Sequence, residues 1–509
     1  MPVNPASSCR TFVLVGLLAF AACGDGGGSS PPPNGPAEVS TLAYVVSRCH
    51  EEKGGRNSSF SQTLWIRQGN REPVKIAEFA GGQPAIGGLC HKWGQGRASI
   101  AAYLLGAVQR TRFTADGAQC LFEVTDDFSV NAHVIPEEQQ GIFAVHTDGS
   151  NLRKIAPHSQ DACFRVYWRC VFAPDAPECA SCAASTLICG FGASPDGHRV
   201  SYTDLGPGPT GDAPQVFTLD LGSGQREQVT HLPPVPVSPA CVGQDTDCVF
   251  PGIVPLSRTG FLGNATIRYE RGRGCSTFGG GVFTVAADGT EEPQPVQTVA
   301  LGGAVVPVFQ ITGEAYPAAA TVPGIPVGGP GGIAGNSITE VFVIEPPDTA
   351  QLPGGRVLQL TNYHRSDTYN PGMSNDGQRV LFQASANPTE LGTNPSNQCQ
   401  LFSIDRLGSD LRQLTFLPAA GDKRRNCQDY AAPGCTLERG GVDMVTGSQT
   451  FASTCDPLGL NPTGADQWFA VRPDGSGLTQ LTRTEGIVAH PDGSIDVEMA
   501  RAFVPNRVR

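Results

Sequence analysis

The amino-acid sequence predicts an all-β protein built from repeated antiparallel strands, and three observations support that prediction. The clearest is a phrase in residues 467–503, where two alternating strands are joined at Asp474 and Gly475 and a third strand follows Asp492 and Gly493. Asp-Gly tolerates the positive φ of tight hairpin turns. Glycine (63 residues) and proline (42) are abundant, and only 16% of the 509 residues are charged. That composition favours short strands and turns over surface helices.

The same phrase recurs along almost the whole chain. Its hairpins begin near residues 64, 142, 215, 282, 340, 400 and 467. Recurrence of one supersecondary unit is typical of arrays such as β-propellers, in which each copy forms one sheet. Seven hairpins, each with a preceding strand, predict a β-propeller of seven four-stranded antiparallel blades. Six blades is the alternative, if one hairpin is misread.

In chain order, each copy consists of a lead strand and a hairpin. The lead strands lie near 43–49, 113–127, 193–206, 257–270, 308–319, 373–385 and 440–454. The hairpins lie near 64–79, 142–156, 215–230, 282–297, 340–361, 400–415 and 467–482. A spare lead strand near 490–503 follows the last hairpin. We expect it to pair with the first blade and close the ring, because closure removes an exposed sheet edge.

Two turn motifs resemble those of a known repeat family. Residues 194–202 read S-P-D-G-x-R-V-x-Y, residues 374–382 read S-N-D-G-x-R-V-x-F, and two hairpins end in Gln-Leu-Thr at 413–415 and 480–482. These phrases resemble TolB-type β-propeller repeats, over most of residues 41–505. The resemblance implies a propeller whose relatives are mainly periplasmic or surface scaffolds, although the same repeat also forms a non-catalytic gate in some serine peptidases.

The residues of the motif have a physical role of their own. The aspartate carboxylate accepts backbone N–H bonds, and the glycine completes the turn. We therefore interpret each Asp-Gly as a turn rather than as a calcium ligand or catalytic acid. The alternation that follows places Val200 with Tyr202, and Val380 with Phe382, on one face of the sheet for packing between blades.

The N-terminus predicts export. Arg10 precedes an apolar run, 11–22, that is too short to span a bilayer and is typical of a signal peptide. The run ends in Phe-Ala-Ala-Cys, which resembles the bacterial lipobox and implies that Cys23 is lipidated and becomes the new N-terminus. Phe20 stands where the family pattern usually has leucine. The alternative is an ordinary cleavable signal that contains a cysteine.

These features define three predicted segments. Residues 1–22 are the signal peptide, residues 23–40 are the lipidated cysteine and a Gly/Ser/Pro tether, and residues 41–509 are a single propeller domain. We expect the protein in the bacterial cell envelope, lipid-anchored and periplasmic or exposed at the cell surface, with the outer membrane favoured.

The cysteines predict disulfides, which persist in an exported protein. Of the 17 cysteines, Cys9 leaves with the signal and Cys23 carries the lipid, so an odd number remains and at least one is a free thiol or pairs between molecules. Candidate disulfide cysteines lie in three loops: Cys163, Cys170, Cys179, Cys182 and Cys189; Cys241 and Cys248; and Cys427 and Cys435. We expect each of the last two pairs to close its own loop. The C-x-x-C spacing of the first loop also fits zinc or redox pairs, but an exported chain favours structural disulfides.

The loop 363–372, which reads YHRSDTYNPG, is the candidate binding loop. Its polar residues are His364, Arg365, Asp367 and Asn370. It runs from a hairpin into the next lead strand, and in propellers such loops face the mouth of the central channel. We expect Arg365 and Asn370 to contact an anion or a peptide, while an ordinary rim loop is the alternative.

The sequence lacks catalytic signatures: there is no G-x-S-x-G and no H-E-x-x-H, and the nine histidines are scattered. We therefore predict no enzyme activity, cofactor or metal site. The formal charge of −12 argues against nucleic-acid binding. The favoured function is a monomeric scaffold that binds an envelope protein or peptide. The alternatives are a polysaccharide lyase or hydrolase with its site at the channel, and a purely structural envelope component.

Overall fold

The structure is a computed structural model. It describes residues 35–54, 57–84, 90, 108–114, 117–124, 141–156, 191–194, 196–234, 256–271, 281–296, 298–301, 304–307, 310–311, 314–315, 318–323, 339–345, 356–363, 369–374, 376–388, 391–418, 427 and 435–505. The chain divides into two compact units, 1–33 and 34–509, and all described residues belong to the second. Within them, no helix is long and apolar enough to cross a membrane.

Among the described residues, seven antiparallel sheets of three to five strands follow one another along the chain, and we call them blades 1 to 7. Blade 1 combines both ends of the chain: β1 (Thr41–Glu51), β2 (Asn57–Gln68), β3 (Val74–Pro84), β31 (Gly486–Ala489) and β32 (Ile495–Phe503). Blade 2 contains β4 (Val108–Phe113), β5 (Gln119–Val124), β6 (Gly141–His146) and β7 (Arg153–Ala156). Blade 3 contains β8 (Phe191–Ala193), β9 (Arg199–Gly208), β10 (Gly211–Asp220) and β11 (Arg226–Gln228).

The remaining blades lie in the second half of the chain. Blade 4 contains β12 (Leu256–Phe261), β13 (Thr266–Arg271), β14 (Gly281–Ala286) and β15 (Gln294–Pro295). Two short hairpins follow, β16 (Thr298–Leu301) with β17 (Ala304–Pro307) and β18 (Gln310–Ile311) with β19 (Glu314–Ala315). Blade 5 contains β20 (Ala318–Pro323), β21 (Thr339–Glu345) and β22 (Arg356–Gln359). Blade 6 contains β23 (Tyr369–Met373), β24 (Arg379–Ala384), β25 (Gln400–Asp405) and β26 (Arg412–Gln413). Blade 7 contains β27 (Glu438–Val442), β28 (Gln449–Ser453), β29 (Gln467–Val471) and β30 (Thr479–Gln480).

The predicted all-β fold with four-stranded antiparallel blades is confirmed. Five of the seven blades have four strands, and the third strand of each repeat, from β2 to β29, starts close to a predicted hairpin. Blade 5 has three strands among the described residues.

Ring closure occurs through the spare strand, as predicted. β32 pairs antiparallel with β1, from Ala43 opposite Phe503 to Glu51 opposite Ile495. β31 adds a fifth strand beyond β32. The first blade is therefore assembled from both ends of the propeller domain.

Aromatic pairs hold the second and third strands of most blades together. In blade 3, Tyr202 lies directly opposite Phe217, and their ring centroids are 5.8 Å apart. Stacked pairs recur at the corresponding position in other blades: Tyr44–Trp65, Phe122–Phe143, Tyr269–Phe283, Phe382–Phe402 and Phe451–Phe469. Cross-strand aromatic pairs of this kind stabilise a sheet beyond their area of burial.

Buried apolar clusters join neighbouring blades. Separate clusters connect blade 1 to 2, 2 to 3, 3 to 4, 5 to 6, 6 to 7 and 7 to 1. Val200, Tyr202, Val380 and Phe382 are all buried in them, as the alternation predicted. At the last junction the Trp468 indole N–H also donates to the Ala500 carbonyl, at 2.8 Å. Blade 1 therefore packs against a blade on each side.

The packed body begins before the boundary predicted at residue 41. Ala37 and Val39 are buried in the cluster between blades 7 and 1. The Ala37 N–H donates to the Gly477 carbonyl at 2.5 Å. Residues 35–40, which we assigned to the tether on composition, therefore belong to the body, and we call them the strap.

Candidate functional site

The connections between strands leave the blades at two opposite ends, and the longest of these connections lie at one of the two ends. At the first, which we call the turn end, first strands are joined to second and third to fourth by short turns such as 114–118 and 221–225. At the second, the loop end, second strands run to third strands and fourth strands run to the next blade. Its longest connections include 85–107, 157–190, 229–255 and 414–437. The longest connections of the chain thus fall at one end of the strands.

Contacts between neighbouring blades align these ends. At the turn end, Arg153 Nη2 donates to Leu221 O (2.9 Å), Asp196 N donates to Asn264 Oδ1 (2.9 Å), and Met444 N donates to Pro505 O (2.9 Å). At the loop end, Gln383 Nε2 donates to Leu437 O (2.6 Å), Gln398 Nε2 to Cys435 O (3.1 Å), and Arg271 Nη2 to Pro233 O (2.9 Å). Turn ends meet turn ends, and loop ends meet loop ends.

The turn end is built from the repeated Ser-x-Asp-Gly motif. The Ser194 hydroxyl donates to Asp196 Oδ1 (2.5 Å) and accepts the Arg199 N–H (2.9 Å), and the His198 N–H donates to the same Asp196 oxygen (3.0 Å). Gly197 has a φ of 74°, which only glycine adopts without strain. Ser374 and Asp376 repeat these bonds in blade 6. The interpretation of these Asp-Gly pairs as turns is confirmed.

Hydrogen bonds hold the carboxylates of the turn end in the ionised form. The hydroxyl and N–H of Ser150 donate to Asp148 and lower the pKa of that carboxyl below its usual range. Backbone and hydroxyl donors from Ser223 lower the pKa of Asp220 in the same way. Among the described residues, no group of three or more His, Cys, Asp or Glu side chains is arranged to hold a metal ion. These aspartates act in turn structure.

The described disulfides lie at the loop end. Cys49 bonds Cys90, Cys399 bonds Cys427, and Cys435 bonds Cys455. The expectation that Cys427 and Cys435 close one loop is wrong: each is oxidised, but with a different partner. Cys399 and Cys455 lie in the connections 385–399 and 454–466, which leave from the same end as 414–437, and this shared position brings them within bonding distance.

The other predicted disulfide cysteines remain predictions. Cys163, Cys170, Cys179, Cys182, Cys189, Cys241 and Cys248 lie outside the described residues, as does Cys23. Of the described cysteines, Cys120 is free; it lies in the core between blades 1 and 2, and burial raises the pKa of its thiol. A buried, protonated thiol is a poor nucleophile, so Cys120 is a core residue.

A glutamine at the start of the third strand fixes the chain that leaves each of three blades, and sequence reasoning missed it. In blade 6, Gln400 Oε1 accepts the Thr415 hydroxyl (2.8 Å) and the Leu417 N–H (2.9 Å), and its amide donates to Leu417 O (2.7 Å). The same bonds surround Gln215 with Thr230 in blade 3 and Gln467 with Thr482 in blade 7. The repeated Gln-Thr spacing was the available signal.

Blade 5, which leads into the candidate binding loop, has Glu340 in place of this glutamine. Glu340 accepts the Thr361 hydroxyl, and Thr361 Oγ1 accepts the Val341 N–H at 2.9 Å. A glutamate side chain has no amide N–H, so it does not make the amide donation to the following carbonyl that the glutamines make in blades 3, 6 and 7. The chain that enters the loop is therefore held differently from its counterparts.

The candidate binding loop is only partly described. His364, Arg365 and Asp367 lie outside the described residues, and Asn370 lies within β23 but its side chain is not described. Tyr363, at the start of the loop, packs against Phe382 with ring centroids 6.4 Å apart. The loop connects β22 to β23 and therefore lies at the loop end. Its contacts with an anion or a peptide remain a prediction.

Two carboxylates of blade 7 have raised pKa values at the loop end. Glu438 begins β27, and Asp466 immediately precedes β29. Burial raises the pKa of Glu438, although Arg501 opposes that shift. Burial, with a smaller contribution from Glu438, raises the pKa of Asp466 to about 7. A carboxyl group that is partly protonated near neutral pH is able to donate as well as accept a hydrogen bond.

Polar side chains form contacts across the paired strands β1 and β32. Asp496 accepts from His50 Nδ1 (2.7 Å) through one oxygen and from His490 Nε2 (2.6 Å) through the other. Two residues further along β32, Glu498 pairs with Arg48 at 2.7 Å. Because each imidazole bonds its own carboxylate oxygen, the three groups form a hydrogen-bonded chain and do not converge on one point.

Two serines that lie in turns use their hydroxyl groups in structural hydrogen bonds. Ser374 holds its turn, and the Ser448 hydroxyl donates to Glu38 O in the strap (2.7 Å). The side chain of Ser257 is not described. The described loop end also exposes apolar side chains at Phe416, Leu458 and Leu460.

Comparison with known proteins finds similarity to solved structures only, with low sequence identity and low TM-scores. No protein-family model matches the chain, and no curated protein matches it. TolB from Acinetobacter baumannii is similar in structure with 11% identity and a TM-score of 0.28, over 72% of this chain and 61% of TolB, so this chain spans less than two thirds of that protein. An oligogalacturonate lyase in complex with manganese has 10% identity and a TM-score of 0.37, over 84% of this chain and 91% of the lyase. The β-propeller domain of the Trilobed protease from Pyrococcus furiosus has 9% identity and a TM-score of 0.36, over 75% of this chain and 85% of that domain.

Proposed function

We propose that this protein is a lipid-anchored, TolB-like β-propeller of the bacterial cell envelope that binds a protein or peptide at its loop end. Cys23 carries the lipid, and the body is monomeric. One observation supports the binding face: the longest connections and the described disulfides all occur at that end. Long connections on a rigid scaffold are where binding residues concentrate.

The turn end supplies the contrast that supports this proposal. Most of its connections between described strands are short, and polar side chains in them are engaged in local hydrogen bonds, as at Ser194 and Asp196. Such turns leave little side chain for a partner. Exposed apolar side chains occur at both ends, for example Leu407 and Val445 at the turn end, but Phe416, Leu458 and Leu460 lie in loop-end connections that the Cys399–Cys427 and Cys435–Cys455 disulfides staple. Apolar side chains on a stapled framework are suited to a partner of complementary shape.

The test is a pull-down from solubilised envelope with three baits. One is the intact chain, one has residues 163–189 and 364–368 replaced by Gly/Ser segments of equal length, and one has the turn-end residues 406–409 replaced in the same way. We expect a specific partner to be recovered by the first and third baits only. Equal recovery by all three, or loss with the turn-end replacement alone, would contradict the proposal.

A catalytic function is a second candidate, supported by Asp466. Its pKa of about 7 is suitable for proton exchange near neutral pH, as the general acid of a polysaccharide hydrolase or the general base of a lyase requires. Screening the protein against envelope glycans beside the Asp466→Asn variant tests this function. Turnover by the native chain that is lost in the variant would favour the enzyme over the scaffold.

A further inference from the structure

The strap fixes the point at which the N-terminal chain leaves the folded body. Arg472 Nη2 donates to Pro36 O at 2.7 Å, and the Ala37 N–H donates to Gly477 O. Arg472 and Gly477 belong to the connection between β29 and β30, which is a turn-end connection. The strap is thus attached at its beginning to the turn end of blade 7.

Further contacts hold the rest of the strap along the same end. Asp443 Oδ2 accepts both the N–H and the hydroxyl of Ser40, each at 2.8 Å. The other oxygen of Asp443 accepts the Val445 and Thr446 N–H groups of its own turn. With Ala37 and Val39 buried between these contacts, the strap is part of the packed structure.

The chain between Cys23 and the strap is short compared with the blades. A Gly/Ser/Pro segment the length of residues 23–34 has a root-mean-square reach of about 20 Å. A strand of nine residues such as β32 is about 30 Å long. A segment of twelve residues with that reach spans easily from a lipid to the turn end, whereas spanning about 30 Å more to the loop end would take about three quarters of its fully extended length of about 40 Å.

From this geometry we infer that the turn end faces the lipid surface and that the loop end points away from it. The inference rests on the proposed lipid anchor at Cys23, and it deepens the proposed function because it places the binding face toward partners beyond the membrane. The orientation is set by the position where the strap leaves the body.

The described part of the turn end mixes carboxylates with arginines such as Arg379 and Arg472, so it presents no polybasic patch for anionic headgroups, and we expect the tether rather than adhesion to set this orientation. The turn carboxylates of Asp148, Asp220 and Asp288 are hydrogen-bonded and have lowered pKa values, so they stay negative at neutral pH. Negative groups are not attracted to anionic headgroups. A body without the lipid is therefore expected to stay in solution.

Energy transfer to a membrane tests the inference. The full chain is produced in a bacterial host, extracted, and reconstituted in vesicles of phosphatidylethanolamine and phosphatidylglycerol that contain an acceptor lipid. A donor is attached through an unnatural amino acid at Leu407, an exposed residue of the turn end, or at Leu460, an exposed residue of the loop end. We expect several-fold more efficient transfer from position 407. Equal transfer, or more efficient transfer from 460, would overturn the inference.

Two variants show whether the tether is the cause. A tether lengthened about fourfold with Gly/Ser doubles the root-mean-square reach, and we expect the ratio of the two transfer efficiencies to fall toward one. A Cys23→Ala protein should show no transfer from either position. A ratio that persists with the long tether, or transfer from position 407 without the lipid, would show that something else orients the body.

Mass spectrometry of the purified chain separates this inference from the proposed anchor. An unmodified Cys23 would contradict the anchor. The orientation is then measured on protein whose Cys23 is coupled to a maleimide headgroup in the same vesicles. Preferential transfer from position 407 would support the geometry even when the biological anchor fails, and equal transfer there would overturn it.

Discussion

The turn end and the loop end of the blades are stabilised by different means. The turn end repeats a local solution in which a serine hydroxyl, an aspartate and a glycine close the turn, as at 194–199 and again at 374–379. The loop end depends on contacts between distant residues, such as the Cys399–Cys427 disulfide and the Gln400–Thr415 bonds. Local contacts of the turn end are suited to being repeated from blade to blade, whereas the long-range contacts of the loop end allow its connections to vary. This difference is the reason for placing function at the loop end.

The pKa values of the carboxyl groups also differ between the two ends. At the turn end, donors lower the pKa of Asp148, Asp220 and Asp288. At the loop end, burial raises the pKa of Glu438 and Asp466. Ionised turn carboxylates stabilise the fold, whereas buried carboxyl groups without strong donors reduce its stability when they ionise. Residues that cost stability are commonly retained at functional sites.

The largest expected effect comes from the strap. Val39→Asp places a charge at a position that is 3% exposed, in the core between blades 7 and 1. A buried unpaired charge is expected to lower the free energy of unfolding by about 3–5 kcal/mol. The matched control is Val445→Asp at the same end, where the side chain is 74% exposed. Urea denaturation should show little change for the control, and similar losses for the two variants would contradict burial of the strap.

The next effect concerns the covalent contacts of the loop end. Replacing Cys399 and Cys427 by serine removes a bond between residues separated by 28 positions. The loss should be about 2–4 kcal/mol, because the unfolded chain gains freedom. Denaturation with and without reductant measures it, and the reductant should shift the double variant less than the native protein. An equal shift in both would show that this disulfide does not stabilise the fold.

The pH dependence of stability distinguishes the carboxylates of the two ends. Asp466 binds its proton more tightly in the folded state, so between about pH 4 and pH 7 the folded protein holds more protons than the unfolded chain. Its contribution therefore makes stability fall as the pH rises through that window, by roughly 1–3 kcal/mol. Asp466→Asn should remove this fall, measured as the difference in unfolding free energy between pH 4.5 and pH 8.

Asp220 provides the control of opposite sign. Its pKa is lowered in the folded state, so its stabilising contribution is present above the ordinary aspartate pKa and is lost as the pH falls below it. Asp220→Asn should leave the slope between pH 4.5 and pH 8 unchanged. A native-like slope in Asp466→Asn would mean that Asp466 does not carry the shifted proton.

The smallest effect is expected from a single turn of the turn end. Ser194→Ala removes a hydroxyl that donates to Asp196 and accepts from Arg199, and should cost about 1 kcal/mol. Ser374→Ala removes the same pair of bonds in blade 6 and should cost a similar amount. Because the two turns share no partners, the double variant should lose the sum of the two. Thermal denaturation of the three variants checks this additivity, and a cooperative loss would contradict independent turns.

The sequence was sufficient for the turn end because its contacts are local. The Asp-Gly turns, the alternation at Val200 and Tyr202, and the closing strand β32 all follow from patterns within a few residues. The strap was missed because its partners lie more than 400 residues away in blade 7, such as the side chains of Arg472 and Ser448 that donate to Pro36 O and Glu38 O, and local composition does not reveal contacts of that kind.

The loop end was less predictable because its contacts join residues that are distant in the chain. Cys427 and Cys435 were paired by nearness in sequence, but the shared end of the strands places Cys399 and Cys455 beside them. The correct disulfide partners would have followed from asking which connections leave from the same end of the strands. The glutamine at Gln215, Gln400 and Gln467 was also visible in the sequence, fifteen residues before its threonine each time. Its role required the folded geometry.

The central claim is that the loop end binds a partner and the turn end does not. Photo-crosslinking in living cells tests it most directly, with one photoreactive residue placed at Leu460 of the loop end or at Leu407 of the turn end. These side chains are 49% and 57% exposed, so a photoreactive residue at either position is similarly accessible to a partner. We expect a discrete protein or peptide adduct from position 460 and none from position 407. An adduct from position 407 alone would contradict the account.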